Sequence, residues 1–288
     1  MNYLAKLIKT SRPLFWFTHF TLLIFGGLQS QTFHLGNFPF ALSLIIFSLP
    51  LSLYVYVIND SYDLDTDLLN PRKGTIFGNK HDRPAINNLK ICGFIGLAVS
   101  LLLAGLIGSL SIVAIIILSI AAYLYSAPPI RLKSIPVIDA IVGGGLYFYT
   151  VMVVGYLASA GNIAKIADIF LRPFILVALL GLFGQLMGSV LDVEPDKKSG
   201  IRTSAVFFGT GKVISFCLLV LFSCLYLVRN NWVFMLFIAA LIAICPFAYS
   251  AKWRQNFLLQ VFGGAFIPLA FFITTIILYI ANPNLLRI

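Results

Sequence analysis

The chain has 288 residues, of which 60% are hydrophobic and 10% charged, and its mean hydropathy is +0.97. Soluble globular domains have roughly half apolar and about a quarter charged residues, so this composition excludes an ordinary soluble protein. The net charge of +10 has to be tested against membrane topology before it can indicate nucleic-acid binding.

Apolar segments near the roughly 20 residues that cross a bilayer recur along the whole chain, separated by short polar connections. We predict an all-α polytopic membrane protein with about nine transmembrane helices, forming a single domain over residues 1–288. The first apolar segment has no small-residue cleavage site, so we expect no cleavable signal peptide. The predicted spans are residues 14–33, 38–58, 90–107, 109–125, 138–159, 172–191, 213–229, 232–250 and 257–281.

The lysine and arginine residues are distributed unevenly between the two sides of the predicted membrane. If the N-terminus is cytoplasmic, 16 of them fall on cytoplasmic segments and 4 on outside segments. This distribution follows the positive-inside rule and predicts nine helices with the N-terminus inside and the C-terminus outside. The basic charge is therefore an orientation signal, and we expect no nucleic-acid partner. The expected location is the cell membrane of a prokaryote.

Seven of the ten acidic residues lie in two short clusters at the predicted cytoplasmic ends of helices. The first cluster follows the second predicted helix. If that helix continues, Asp60, Asp63 and Asp67 lie on one face, with Asn59 beside them and Asp65 pointing away.

The second cluster follows the sixth predicted helix, where Asp192 and Asp196 are one helical turn apart and Glu194 points elsewhere. Topology puts both clusters on the same side of the membrane, so they can share a site. Clustered carboxylates repel one another, and oxygen ligands without His or Cys suit Mg²⁺, which also takes phosphate oxygens. The alternative is that both acidic clusters are solvated loop ends that balance nearby lysines. We predict a Mg²⁺ site with the ligands Asn59, Asp60, Asp63, Asp67, Asp192 and Asp196.

A basic segment, Tyr125-Ser-Ala-Pro-Pro-Ile-Arg-Leu-Lys133, follows the fourth predicted helix. Arg131 can form paired hydrogen bonds with phosphate oxygens, and Lys133 adds a point charge. Arg72 and Lys73, after the first acidic cluster, are candidates of the same kind. The alternative is that these residues contribute only to the positive-inside charge.

Three motifs occur in order: Asn59-Asp60-x-x-Asp63-x-x-x-Asp67, Tyr125-Ser-x-Pro128-Pro129-x-Arg131-Leu-Lys133 and Asp192-x-Glu194-x-Asp196-x-x-x-Gly200. In order, spacing and helix position they resemble the UbiA superfamily of intramembrane prenyltransferases, over nearly the whole chain. The resemblance implies nine helices around a central cavity, with Mg²⁺ and an isoprenyl diphosphate held at the cytoplasmic face. It implies catalytic roles for Asp60, Asp63, Arg131 and Lys133, and substrate binding by Asn59, Arg72, Lys73, Tyr125, Arg131 and Lys133.

The runs Asn70-Pro-Arg-Lys73 and Ser11-Arg-Pro-Leu-Phe-Trp16 are more similar to the branch that prenylates carotenoid ends, the lycopene elongases. This similarity implies a lipophilic acceptor such as lycopene. Aromatic quinone precursors, tetrapyrroles and archaeal lipids are the alternative acceptors. A cation-coupled transporter is the non-enzymatic alternative, although it would need acids near the bilayer midplane.

Asp139 is the acidic residue at the cytoplasmic start of the fifth predicted helix. We expect it to be a helix N-terminal charge or a partner of Arg131. Deprotonation of the alkylated product is the alternative role.

Overall fold

The computed structural model describes residues 3–70, 73–75, 78–161, 164–256 and 267–282, and these residues form helices and no β-strand. A π-helix covers Ile141–Leu146, and 3₁₀-helices cover Leu132–Ser134, Ile166–Phe170 and Cys245–Tyr249. The α-helices are α1 (Tyr3–Thr10), α2 (Pro13–Leu28), α3 (Phe38–Phe47), α4 (Leu49–Tyr62), α5 (Leu64–Leu69), α6 (Arg83–Ile107), α7 (Ser109–Ser126), α8 (Ile138–Ala140), α9 (Tyr147–Ala160), α10 (Arg172–Leu191), α11 (Val193–Lys198), α12 (Ser204–Phe208), α13 (Thr210–Leu227), α14 (Trp232–Ile244), α15 (Ala251–Gln255) and α16 (Ile267–Ala281).

Seven of the nine predicted spans correspond to helices that are long and apolar enough to cross a membrane. The first predicted span corresponds to α2, which has 16 residues and is shorter than the roughly 20 needed. The last corresponds to α16, whose apolar part is Ala270–Ala281, and residues 257–266 of that span lie outside the described residues. The seven are Phe38–Tyr62, Arg83–Ile107, Ser109–Ser126, Ile138–Ala160, Arg172–Leu191, Thr210–Leu227 and Trp232–Tyr249.

Helix α6 shows why this chain belongs in a bilayer. Its side chains of Ile91, Leu102 and Leu106 are 63%, 74% and 64% exposed. A continuous apolar surface of this kind is rare on soluble proteins and is stable against lipid chains. The chain is therefore an integral membrane protein, as its composition predicts.

The described chain divides into two compact units. The first contains residues 1–131 and 150–164. In it, Leu53 and Val57 of α4 pack on Ile86 and Leu89 of α6, and these four residues are buried. Close backbone approach joins α2 to α9, because a Cβ atom at Gly155 would collide with the carbonyl oxygen of Leu23.

The second unit contains residues 132–149 and 165–288. Its α10 packs against the π-helix, where a Cβ atom at either Gly144 or Gly181 would collide with the carbonyl of the other. Small residues at such crossings allow helix backbones to approach closely in a membrane, where van der Waals packing drives association.

Asp139 in α8 is buried and anchors the N-terminus of α12 in the second unit. Its carboxylate accepts hydrogen bonds from the Ser204 backbone N–H at 2.7 Å, the Ser204 hydroxyl and the Ala140 N–H. The Val137 N–H in turn donates to Ser204 Oγ at 2.8 Å. Asp139 is therefore a helix N-terminal charge, as one of the expectations had it.

Gly155→Ala is expected to lower the melting temperature, because the added methyl group would push α9 away from the Leu23 carbonyl. Overpacking of this kind costs about 1–3 kcal/mol. Thermal unfolding in detergent measures the effect. Gly184→Ala is the matched control, since nothing lies within 4 Å of a Cβ atom there. Equal melting temperatures for the two variants would contradict the close crossing of α2 and α9.

Asp139→Asn is expected to destabilise the protein by about 1–3 kcal/mol, the cost of leaving buried hydrogen-bonding groups badly paired. The hydroxyl and the backbone N–H of Ser204 donate to different oxygens of the carboxylate, and the asparagine NH2 group, which is a donor, would replace one of these two acceptors. Thermal unfolding again provides the measurement. Asp65→Asn is the control, because Asp65 is exposed. A melting temperature like that of the control would show that the carboxylate does not stabilise α12.

Candidate active site

The first acidic motif lies at the junction between α4 and α5. Helix α4 ends at Tyr62, and Asp63 follows it with φ −113° and ψ 12° before α5 begins. The condition under which the three residues were expected to share a face, an unbroken helix, therefore fails at Asp63. The Asp67 N–H still donates to the Asp63 carbonyl at 2.7 Å, so the turn is preserved across the break.

Despite this break in the helix, the three acidic residues that were expected to lie on one face are buried. Asp60, Asp63 and Asp67 are 0%, 7% and 7% exposed, whereas Asp65 is exposed. Asp65 thus points away from the cluster, as predicted. Three carboxylates buried within eight positions need nearby cations, because an uncompensated buried charge is costly.

Asp60 is the most enclosed of the three. Its Oδ1 lies 2.8 Å from Arg12 Nη2 and 2.6 Å from Lys73 Nζ. The other oxygen, Oδ2, lies 3.6 Å from His81 Nε2 and has no hydrogen-bond partner among the residues that the structure describes. Asp60 therefore has two cationic partners on one oxygen and an unsatisfied second oxygen.

Lys73 bridges two carboxylates, because its Nζ also lies 2.8 Å from Asp67 Oδ2. Burial raises the pKa of Asp67 to about 6 against the attraction of Lys73, and the negative charge of Asp60 adds to the rise. Among the described ion pairs, Asp67 therefore has Lys73 as its cation, and it shares this lysine with Asp60.

Two arginines that contact the first unit's acidic residues have left-handed backbone conformations. Arg131, with φ 44°, places Nη2 3.2 Å from Asp63 Oδ1 and 3.2 Å from the Tyr62 carbonyl oxygen. Arg12, with φ 54°, contacts Asp60 and lies over the Tyr56 ring at 4.2 Å. Such conformations are uncommon for residues with side chains and persist where the surroundings hold them.

Three other predicted site residues, Asn59, Arg72 and Tyr125, belong to the first unit. Asn59 donates from Nδ2 to Ser126 Oγ of α7 at 3.4 Å. Tyr125 is half-buried on the same helix. Arg72, a predicted diphosphate ligand, lies outside the described residues.

The second acidic motif is built around the junction of α10 and α11. Asp192 follows α10, and the Asp196 N–H donates to its carbonyl oxygen at 3.0 Å. Asp196 is buried and accepts from Thr203 Oγ1 at 3.2 Å, whereas Glu194 is exposed. The chain turns at Gly200, where φ is 72°, a conformation that suits glycine. Lys133, in the same unit, is buried on the 3₁₀-helix Leu132–Ser134.

His81 and the pairing of Arg12 with Asp60 were not predicted as parts of the site. The His81 side chain is 1% exposed, and within the described part of the chain neither ring nitrogen has a hydrogen-bond partner. A single histidine in a loop carries no motif, so only the folded chain shows that it faces Asp60.

The donor chemistry of the acidic residues fits Mg²⁺. The described residues contain no group of three His, Cys, Asp or Glu side chains arranged as a metal cluster. Asp60 nevertheless presents a buried carboxylate oxygen without a hydrogen-bond partner, and the neighbouring ligands would all be oxygens. Hard oxygen donors of this kind are what Mg²⁺ prefers.

This chain is similar in sequence and in fold to members of one protein family. The pattern of the UbiA prenyltransferase family matches residues 16–257. A lycopene elongase/hydratase of Haloarcula japonica is 30% identical over 236 residues, which cover 80% of this chain and 76% of that protein. A lycopene elongase/hydratase of Halobacterium salinarum is 29% identical over 219 residues, 73% of this chain and 74% of that protein.

Solved structures show the same fold. A UbiA homologue from Archaeoglobus fulgidus bound to GPP and Mg²⁺ has a TM-score of 0.70, with 21% identity and coverage of 93% of this chain and 97% of that chain. The apo UbiA homologue from Aeropyrum pernix has a TM-score of 0.67, with 16% identity and coverage of 91% and 97%. The resemblance predicted from the three motifs is confirmed: the chain belongs to the UbiA prenyltransferase family and is a prenyltransferase.

Proposed function

We propose that this prenyltransferase transfers the prenyl group of an allylic isoprenyl diphosphate to the end of a carotenoid such as lycopene. The observation that carries the proposal is the identity of 30% with a lycopene elongase/hydratase over 80% of this chain. The A. fulgidus homologue bound to GPP and Mg²⁺ supports an isoprenyl diphosphate as the donor.

The apolar spans favour a hydrocarbon acceptor. Ser109–Ser126 and Trp232–Tyr249 contain no Asp, Glu, Lys or Arg. In α2, His19 Nδ1 is hydrogen-bonded to the Phe47 carbonyl at 3.0 Å, so this polar side chain has a partner within the protein. A hydroxybenzoate acceptor would bring a carboxylate that is costly to bury without a cationic partner. The end of a polyene is uncharged, so its burial requires no cationic partner.

Both acidic motifs are proposed to supply the Mg²⁺ ligands, namely Asn59, Asp60, Asp63, Asp67, Asp192 and Asp196. When bound, Mg²⁺ would act as a Lewis acid on the diphosphate oxygens. Asp60, Asp63 and Asp67 are held in place for this role by their burial in the first unit.

The basic residues are proposed to bind the diphosphate as it leaves. The C–O bond breaks with its electron pair going to the diphosphate, and Arg131 and Lys133 compensate that negative charge. Arg72, Lys73, Tyr125 and Asn59 complete the proposed substrate-binding set. The prenyl cation is then attacked by an acceptor double bond, and loss of a proton completes the transfer. Apolar side chains exclude water that would capture the cation.

The proposed orientation has the N-terminus and both acidic motifs on the cytoplasmic side of a prokaryotic cell membrane. The distribution of basic residues over the loops supports this orientation.

Expression in a lycopene-producing host tests the acceptor. We expect carotenoids enlarged by prenyl units, identified by mass, and none from the Asp63→Asn variant. With purified protein, excess EDTA is expected to abolish the reaction and added Mg²⁺ to restore it. Absence of any carotenoid product together with prenylation of an aromatic acid would refute a carotenoid acceptor.

Asp63→Asn and Asp192→Asn are each expected to reduce turnover by about two orders of magnitude or more, because each loses a charge that faces the metal or diphosphate. Both substitutions preserve side-chain size, and melting temperatures measured alongside separate a loss of turnover from a loss of folded protein. Asp65→Asn and Asp168→Asn are the controls, because Asp65 is exposed and Asp168 lies on the separate 3₁₀-helix Ile166–Phe170. Equal loss of turnover at all four positions would indicate a general effect and not a metal site.

A further inference from the structure

Lys73 occupies the space between two proposed metal ligands. Its Nζ lies 2.6 Å from Asp60 Oδ1 and 2.8 Å from Asp67 Oδ2, and its side chain is 9% exposed. Mg²⁺ bound to these two oxygens would lie about 2.0–2.1 Å from each of them. An ammonium group and a metal ion cannot both bridge the same pair of oxygens at such distances.

The ammonium satisfies this pair only partly. Asp60 Oδ2 remains buried with no hydrogen-bond partner among the described residues, because Arg12 and Lys73 both contact Oδ1 of Asp60. A divalent ion would bring twice the charge and could also use the unsatisfied oxygen. A divalent metal ion would therefore compensate the negative charges of Asp60 and Asp67 better than the ammonium does.

Arg12 is the other cation on Asp60, but its surroundings differ. Its guanidinium lies over the Tyr56 ring at 4.2 Å while it contacts Asp60 Oδ1. The planar guanidinium is thereby held on both sides, whereas Lys73 is a point charge on a flexible four-carbon stem. Of the two cations, Lys73 is the one that can leave without breaking an aromatic contact.

We propose that Lys73 is an exchangeable counter-ion, which holds Asp60 and Asp67 together before metal binds and gives up this place to the metal. The inference rests on the metal site of the proposed function and adds an order of events to it. Once displaced, the ammonium is free to contact the diphosphate that arrives with the metal. Metal binding and the release of a substrate-binding lysine are then one event.

Mn²⁺ binding, followed by electron paramagnetic resonance of the full-length protein in detergent, tests this exchange. Lys73→Met is expected to bind Mn²⁺ more tightly than the unaltered protein by about tenfold or more, since a competing charge beside the two carboxylates is gone. Its melting temperature without metal should fall, because the two carboxylates lose their counter-ion.

Lys80→Met is the matched control. Lys80 lies in the same loop and donates to the Leu68 carbonyl at 3.3 Å, with no carboxylate contact among the described ion pairs. Its Mn²⁺ affinity should equal that of the unaltered protein. Equal or weaker Mn²⁺ binding by Lys73→Met, including no detectable binding by either protein, would overturn the exchange.

A second measurement uses the unaltered protein and does not depend on folding of the variant. Acetylation of Lys73, quantified by mass spectrometry, should be slower than that of Lys80 without metal and should accelerate when Mn²⁺ is added. Inorganic pyrophosphate added with Mn²⁺ should slow it again. An acetylation rate unchanged by saturating Mn²⁺ would overturn the proposal. Neither measurement contains an acceptor, so its outcome is separate from the outcome of the carotenoid assay.

Discussion

Burial of carboxylates beside a membrane-spanning bundle is the constraint on which the first unit depends. Asp60 is completely buried, and the cations that reach it come from distant parts of the chain, Arg12 before α2 and Lys73 after α5. Such a charge is tolerable only if its partners are held in place, because removing one partner leaves an uncompensated buried ion. The connection between α5 and α6 and the start of α2 are therefore tied to the end of α4 by the same interaction that prepares the site.

The backbone departs from regular geometry where these side chains are positioned. Helix α4 stops at Tyr62, and Asp63 lies between two helices with its carboxylate turned inward. Arg12 and Arg131 adopt positive φ angles. Strain of this kind is retained where it places a functional group, and here both arginines end on a carboxylate.

In the second unit, hydrogen bonds hold a buried carboxylate in place. Asp139 accepts a hydrogen bond from the Ser204 backbone N–H. The preceding residue, Thr203, donates a hydrogen bond from its hydroxyl to Asp196. The buried carboxylate of α8 and the acidic residue of α11 are therefore attached to one short segment at the start of α12. Rigid support of that segment restricts where Asp196 can point.

The sequence by itself determined the membrane class, most of the spanning helices and the composition of the acidic clusters. Hydropathy and charge distribution depend on local sequence, and the spacing of Asp60, Asp63 and Asp67 already separates them from Asp65. The family could also be predicted from the sequence, because its three short motifs are local patterns. Only the tertiary structure decided that Asp63 interrupts the helix, that His81 faces Asp60, and that Lys73 bridges Asp60 and Asp67. These contacts join residues whose loops carry no periodic pattern, and their partners are chosen by how buried charge is compensated across the fold, which no local pattern encodes.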